Sequence, residues 1–123
     1  MVAVNDTAER LAGGWGGTVL RSGGTVCRST GHWTPAVHAL LEHLESVGFE
    51  GAPRVFGVDS EGHEVLTFID GQTAASAAGW PAWLRFEANL VRVARLLRQF
   101  HDAVGSFRPG PDLQWRDGSR GLR

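Results

Sequence analysis

The sequence predicts an α+β fold in which an antiparallel sheet packs against one helix and is followed by a second, longer helix. Two stretches repeat apolar residues at the three- and four-residue spacing of a helix. Short β-prone runs alternate with turn residues and predict strands near 17–21, 24–28, 54–58 and 64–69. The 123 residues, 42% of them apolar and 20% charged, are enough for one folded core.

Composition and charge narrow the class of protein. The chain has 12 basic and 13 acidic residues and a net charge of −1, so no basic face suited to a nucleic-acid backbone is expected. No stretch approaches the roughly 18 apolar residues that span a bilayer, and the first residues lack the pattern of an export signal. The single Cys27 excludes an intrachain disulfide. We therefore expect a cytoplasmic protein without nucleic-acid or membrane partners.

The first element is a hairpin that follows a glycine-rich loop. This loop contains Gly13, Gly14, Gly16 and Gly17. Without Cβ atoms its backbone can turn several amides toward one anion, and Arg28 adds a positive charge at the end of the second strand. The pattern is typical of a hairpin that covers a phosphate, although glycine-rich hairpins also occur in proteins that bind nothing.

The next element is a helix over 35–47. Thr34 is predicted to cap it, Pro35 suits its first position, and Gly48 is placed to end it in the left-handed conformation. Its apolar face is expected to pack on the sheet through Val37, Leu41 and Leu44.

A second hairpin and a long helix complete the predicted fold. The hairpin turns at 60–62, and a hinge and linker over 71–84 follow it, with small and polar residues up to Gly79. The long helix covers 85–105, and 106–123 is predicted to be an irregular tail. A buried stripe along the long helix is expected to consist of Phe86, Leu90, Val93, Leu97, Phe100 and Val104.

Several phrases of the sequence resemble the aminoglycoside phosphotransferase family, whose members are bacterial small-molecule kinases with a protein kinase-like fold. They include Gly-Gly-Trp-Gly-Gly-Thr-Val-Leu-Arg at 13–21, Ala-Pro-Arg-Val-Phe-Gly-Val-Asp at 52–59 and Leu-Leu-Arg-Gln-Phe-His-Asp at 96–102. The resemblance covers roughly residues 8 to 116. It implies that 1–70 form the N-terminal lobe, that 71–84 form the hinge and linker, and that 85–105 form the first helix of the second lobe.

The resemblance also implies a nucleotide site. The four loop glycines would cover the ATP phosphates, and Arg28 would stand where the family usually has a lysine. Thr67, Phe68 and Ile69 would be the hinge that offers backbone groups to adenine. Val37 occupies the position of the family's helix glutamate, so Glu45 is the substitute expected to pair with Arg28.

The sequence departs most from the family at the catalytic centre. The family's catalytic loop and Mg²⁺ ligands follow the long helix, and neither His101-Asp102 nor Asp70-Gly71 can replace them. The resemblance therefore implies weak ATP binding, no catalytic residue and no metal ligand in this chain. Although the family is a phosphotransferase, we expect the isolated chain to be inactive.

Two alternatives stay open beside a truncated small-molecule kinase. One is a non-catalytic module that binds a nucleotide or binds a protein partner through the exposed face of the 85–104 helix. The other is the relic of a frameshifted gene. A metal site of its own is not expected, because His38 and His43 lack the spacing of a zinc motif. Arg92, Arg95 and Arg98 are interpreted as a solvated helix face.

Overall fold

The computed structural model describes residues 8–11, 18–72 and 79–116. Within them it has a five-stranded antiparallel sheet and two α-helices, which confirms the predicted α+β class. The sheet order is β1-β2-β3-β5-β4. The strands are β1 (Glu9–Leu11), β2 (Val19–Ser22), β3 (Thr25–Ser29), β4 (Val55–Val58) and β5 (His63–Thr67). The helices are α1 (Thr34–Ser46) and α2 (Glu87–Val104), and a 3-10 turn (Ala82–Arg85) precedes α2.

Strand β1 is the element that the sequence did not predict. It pairs antiparallel with β2, with Glu9 opposite Arg21 and Leu11 opposite Val19. Three residues, two of them charged and exposed, are too few to show the alternation of polar and apolar residues that signals a strand. Strand β1 is therefore defined by its pairing with β2 and not by a pattern in its own sequence.

The turn between β4 and β5 is closed by Asp59. Its Oδ1 accepts hydrogen bonds from the backbone N–H of His63 at 2.8 Å and of Glu61 at 2.9 Å. Gly62 adopts a φ of 83°, which the turn requires. Mainly through the His63 N–H, these bonds hold the pKa of the Asp59 carboxyl below its usual value of 3.8.

Strand β4 contains a bulge next to this hairpin. Val55 pairs with Leu66 and Gly57 with Val65, so Phe56 is the extra residue between them. Gly57 has a φ of 126°, which a residue with a side chain rarely adopts, and the Phe56 side chain is exposed. The bulge bends the edge of the sheet.

The start of helix α1 differs from the prediction. Its N-cap is Trp33 and not Thr34, and no side chain caps the first turn. Thr34 is buried inside the helix, and its hydroxyl accepts the N–H of Gly31 at 2.9 Å, so it serves the preceding loop. The predicted end is confirmed, because Gly48 has a φ of 78° and the Phe49 N–H bonds to the Leu44 carbonyl at 2.9 Å.

The core lies between α1 and the sheet. Its buried residues are Leu41, Leu44, Phe49 and Leu66, and Leu44 is only 2% exposed. Val26 and Val55 pack against this cluster from the sheet, as does Val37 from the helix. The predicted contact of α1 with the sheet through its leucines is therefore confirmed.

Helix α2 contacts the core only through its last turns. The Phe100 ring lies 5.8 Å from the Phe49 ring, and Ala103 and Val104 pack beside it. The Nε2 of His43 on α1 lies 2.8 Å from the carbonyl oxygen of Ala103 and links the two helices. After α2 the described tail is irregular, and the Arg116 guanidinium lies 5.0 Å from the Trp33 ring.

The buried stripe predicted along α2 is wrong over most of its length. Phe86, Leu90, Val93 and Leu97 are between 51% and 60% exposed. The physical reason is that, in the part of the chain that the structure describes, the first turns of α2 are packed only against the 3-10 turn before them. No helix in the described residues is both long and apolar enough to cross a membrane.

Candidate functional site

A buried carboxylate bridges two elements of the fold. Glu64 on β5 is 4% exposed and accepts the Nε–H of Arg28 on β3 at 2.5 Å. The Arg28 Nη2 contacts the same oxygen, and the Nε2 of His38 on α1 lies 2.8 Å from the other. Arg28, His38 and Glu64 are called the Glu64 cluster below. The cluster joins the centre of the sheet to the helix that covers it.

Strand register brings the cluster together. Arg28 lies directly opposite Glu64 in the β3–β5 ladder, and both share a sheet face with Val26 and Leu66. Helix α1 covers this face, and His38 stands three residues before Leu41 on the same side of the helix. One side chain from β3 and one from α1 therefore converge on a carboxylate of β5.

The Glu64 cluster holds the positive charge of Arg28 in one place. Both carboxylate oxygens of Glu64 are engaged, so the burial of the anion is compensated by hydrogen bonds and by the arginine. The guanidinium is held by two of its nitrogens, while part of the Arg28 side chain stays accessible to solvent. The arrangement fixes the position of the Arg28 charge, and the contact of His38 with Glu64 attaches α1 to the sheet.

The ion-pair partner of Arg28 differs from the sequence expectation. The structure pairs Arg28 with Glu64, whereas Glu45 is exposed. Glu45 lies seven residues after His38, which places it about 10 Å further along the same side of α1. The place on α1 that faces the arginine is therefore occupied by His38.

The predicted hinge residues lie at the end of β5. The Thr67 N–H bonds to the Arg54 carbonyl at 2.9 Å, and the Thr67 hydroxyl accepts the Arg54 N–H at 2.9 Å. The Phe68 N–H bonds to the Gly24 carbonyl at 2.8 Å, and Ile69 is exposed. The amide N–H groups of Thr67 and Phe68 are thus used inside the sheet.

Nothing in the described residues bears on the predicted phosphate loop. Gly13, Gly14, Gly16 and Gly17 lie outside the described residues. Nucleotide binding by these glycines, by Arg28 and by the three hinge residues stays a prediction.

Sequence reasoning missed Glu64 and His38. A signal for Glu64 existed, because it lies two residues before Leu66 in a β-prone run. Residues two apart in a strand lie on the same face, so Glu64 shares the inward face with Leu66. For His38 the signal was weaker: it lies one turn from Leu41 on a helix whose apolar face had been identified. Neither signal shows that Arg28 and His38 both contact the Glu64 carboxylate.

Other reactive groups are few in the described residues. No group of three or more His, Cys, Asp or Glu side chains there could hold a metal ion. Burial, and secondarily the charge of Asp59, raises the pKa of the Cys27 thiol, which disfavours the reactive thiolate. An open groove of about 540 Å³ lies between the end of α1 and the end of α2, lined in part by Val47, Gln99 and Ser106.

Comparison with known proteins identifies one curated relative. The chain is 40% identical over 109 residues to the trifolitoxin immunity protein of Rhizobium leguminosarum bv. trifolii. The match covers 87% of this chain but only 40% of the relative's length. No family model matches the chain, and no solved structure gives a significant match.

This relative contradicts the resemblance to the aminoglycoside phosphotransferase family. It is named for immunity to a toxin and not for a kinase, and no family model or solved structure supports a kinase. The kinase family and its transferase function are therefore a wrong assignment, and ATP binding is no longer supported as a property that the chain takes from that family. The phrases that carried the resemblance include packed residues such as Val55 and Phe100. Packed residues can be shared by chains that differ in function.

Proposed function

We propose that this chain acts in immunity to a toxin and that it does so by binding the toxin. The observation that carries the proposal is the 40% identity to the trifolitoxin immunity protein over 87% of the chain. Because the chain spans less than half of that relative, its share in the whole protein's function is part of the proposal.

The folded core suits a binding role. The Glu64 cluster and the leucines of α1 hold the sheet and the helix in one arrangement, so the surface they carry is preorganised. Large apolar side chains remain exposed around this core, among them Phe56, Ile69 and Trp80. Exposed aromatic and aliphatic side chains on a rigid scaffold are the usual anchors of a protein or peptide ligand.

The proposal is tested by protection of a sensitive strain. The chain is expressed in a strain that trifolitoxin inhibits, and growth is measured against increasing toxin, with the full-length Rhizobium protein as positive control. We expect the chain to raise the inhibitory concentration above that of an empty vector. Soluble chain that gives no protection, while the relative protects, would contradict a role in immunity for this segment.

Binding is tested separately by calorimetric titration of the purified chain with trifolitoxin. A saturable heat with a defined stoichiometry is expected. The matched control is Leu44→Asp, which places a charge at a site that is 2% exposed and should remove both the fold and the heat. Protection without any binding heat would retain the immunity function and reject binding as its mechanism.

A further inference from the structure

Helix α1 has a second buried side that does not face the sheet. Ala36 is 0% exposed, yet among the described residues it does not belong to the core cluster between α1 and the sheet. It lies roughly 20° around the helix from His43 and roughly 140° from Leu41, which packs toward the sheet. Ala36 and His43 therefore share a side of α1, and the sheet is not what buries Ala36.

The segment that follows α2 runs along this second side. It consists of residues 106–116 and is called the strap below. Near its beginning the Phe107 ring lies 5.2 Å from the His43 ring, and at its end the Arg116 guanidinium lies 5.0 Å from the Trp33 ring. Trp33 and His43 are about 15 Å apart along the axis of α1, so the strap spans most of the helix from its last turn back to its start.

Side chains of the strap alternate in exposure. The partly buried ones are apolar, and their immediate neighbours are exposed; they are Phe107, Pro109, Leu113 and Trp115. A turn closed by the Leu113 N–H and the Gly110 carbonyl at 3.2 Å separates the two pairs. Alternating side chains point to opposite sides of an extended segment, so each half of the strap has one side against the protein.

The backbone bonds of the strap are local. The Phe107 N–H bonds to the Val104 carbonyl at the end of α2 at 3.0 Å, and the Leu113 N–H bonds within the strap. The strap meets α1 through the side chains of Phe107 and Arg116. Its attachment to α1 therefore depends on side-chain packing and not on a ladder of backbone bonds.

One group of the strap is better satisfied when the strap is open. The Nε1–H of Trp115 is buried and has no hydrogen-bond partner. A buried donor without an acceptor raises the free energy of the closed strap, and water satisfies this donor once the strap opens. Opening the sheet, by contrast, breaks the backbone bonds between its strands. The strap therefore costs less to open than the sheet.

We propose that the strap opens as a separate unit while the sheet and α1 stay folded, and that its opening uncovers the Ala36 side of α1. The contacts of Phe107 and Arg116 with the two ends of α1 hold the strap closed. The closed strap is thus a built-in cover over a second side of the helix, whose other side is packed on the sheet.

Hydrogen exchange of the unchanged chain, followed by NMR, tests whether the strap opens alone. The probe of the strap is the Trp115 indole N–H, assigned by the signal that Trp115→Phe removes, and the probe of the core is the Leu44 amide. Each rate is compared with that of the same group in urea-unfolded chain. We expect the indole to be slowed about tenfold or more, and the Leu44 amide to be slowed about tenfold more than the indole. Equal slowing of the two groups, or an indole that is not slowed, would overturn the proposal.

Two neighbouring substitutions test which side chains hold the strap closed. Leu113→Ala shortens a partly buried apolar side chain and should speed exchange of the Trp115 indole about fivefold or more, with the Leu44 amide unchanged. Gln114→Ala makes a change of similar size at an exposed position and should leave both rates unchanged. The same effect in both variants, or the same effect on both probes, contradicts a strap that opens as a separate unit.

The uncovering of α1 is tested with Ala36→Cys in a chain whose natural thiol is removed by Cys27→Ser. Labelling by iodoacetamide is followed by mass spectrometry under native conditions. We expect Leu113→Ala to accelerate labelling about fivefold or more and Gln114→Ala to leave it unchanged. Labelling at one rate in both backgrounds would mean that the strap does not cover Ala36 and would reject the proposal. If Ala36→Cys does not fold, the exchange of the unchanged chain decides; no toxin is present in either measurement, so both are independent of the immunity function.

Discussion

Helices α1 and α2 carry apolar residues at the same spacing, yet only α1 buries them. Leu41 and Leu44 of α1 meet Leu66 of the sheet, whereas no residue of α2 is buried and its first turns face solvent. A periodic pattern identifies the side of a helix that is apolar. Whether that side is covered depends on what else the fold places beside it.

The largest expected effect compares one leucine from each helix. Leu44→Ala should lower the free energy of unfolding by about 2–5 kcal/mol, because it leaves a cavity at a buried site. Leu97→Ala should change it by less than about 0.5 kcal/mol, because that side chain is half exposed. Urea unfolding followed by circular dichroism measures both. Equal losses of unfolding free energy in the two variants would mean that α1 and α2 contribute equally to stability at these two positions.

The next effect concerns the charge that ties α1 to the sheet. Glu64→Gln should cost about 1–3 kcal/mol, because it removes the anion that both Arg28 and His38 contact. The control is Glu45→Gln, which makes the same change at an exposed site of α1 and should cost less than about 0.5 kcal/mol. If the two variants unfold at the same urea concentration, the buried cluster contributes nothing to the attachment of α1.

A smaller effect probes the contact between α2 and the end of α1. A Cβ at Gly51 would lie 2.7 Å from Cζ of Phe49 and 2.9 Å from Cδ1 of Leu96. Gly51→Ala should therefore cost about 1 kcal/mol, at the low end for overpacking, because the ends of side chains can shift. Gly110→Ala, where nothing lies within 4 Å, is the control. A stabilised Gly51→Ala variant in urea would mean that this contact is loose.

The smallest effect lies outside both helices, in the turn closed by Asp59. Because its folded pKa is lowered, the charge stabilises the fold above the usual value of 3.8, and this contribution is lost as the pH falls through the folded pKa. Asp59→Asn keeps an acceptor oxygen but no charge. Its stability should therefore decline less steeply in acid than that of the unchanged chain, as measured by thermal unfolding between pH 5 and pH 2. Parallel declines would reject the role of the charge.

The fold was predictable from the sequence where local signals agree. Turn residues between β-prone runs identified four of the strands, and Gly48 identified the end of α1. Strand β1 was not predicted, because it is a strand through its pairing with β2 and not through its composition. The stripe of α2 was identified as apolar, but its burial depends on tertiary neighbours that no local pattern reveals.

The candidate site was less predictable, because it depends on register. Arg28 and Glu64 are 36 residues apart, and their contact follows from the pairing of β3 with β5. The sequence singled out Arg28 but assigned it Glu45 on the helix, since helix spacing can be counted and strand register cannot. The kinase assignment rested on short phrases, and the relative that matches most of the chain is not named as a kinase.

The bulge in β4 affects how copies of this protein can associate. The two edges of the described sheet are β1, with three residues, and β4, which the bulge at Phe56 interrupts. Neither edge offers an uninterrupted ladder of backbone groups, so strand-to-strand growth into fibrils has no template there. Association in concentrated samples should therefore proceed through side-chain contacts that detergent reverses and not through cross-β pairing.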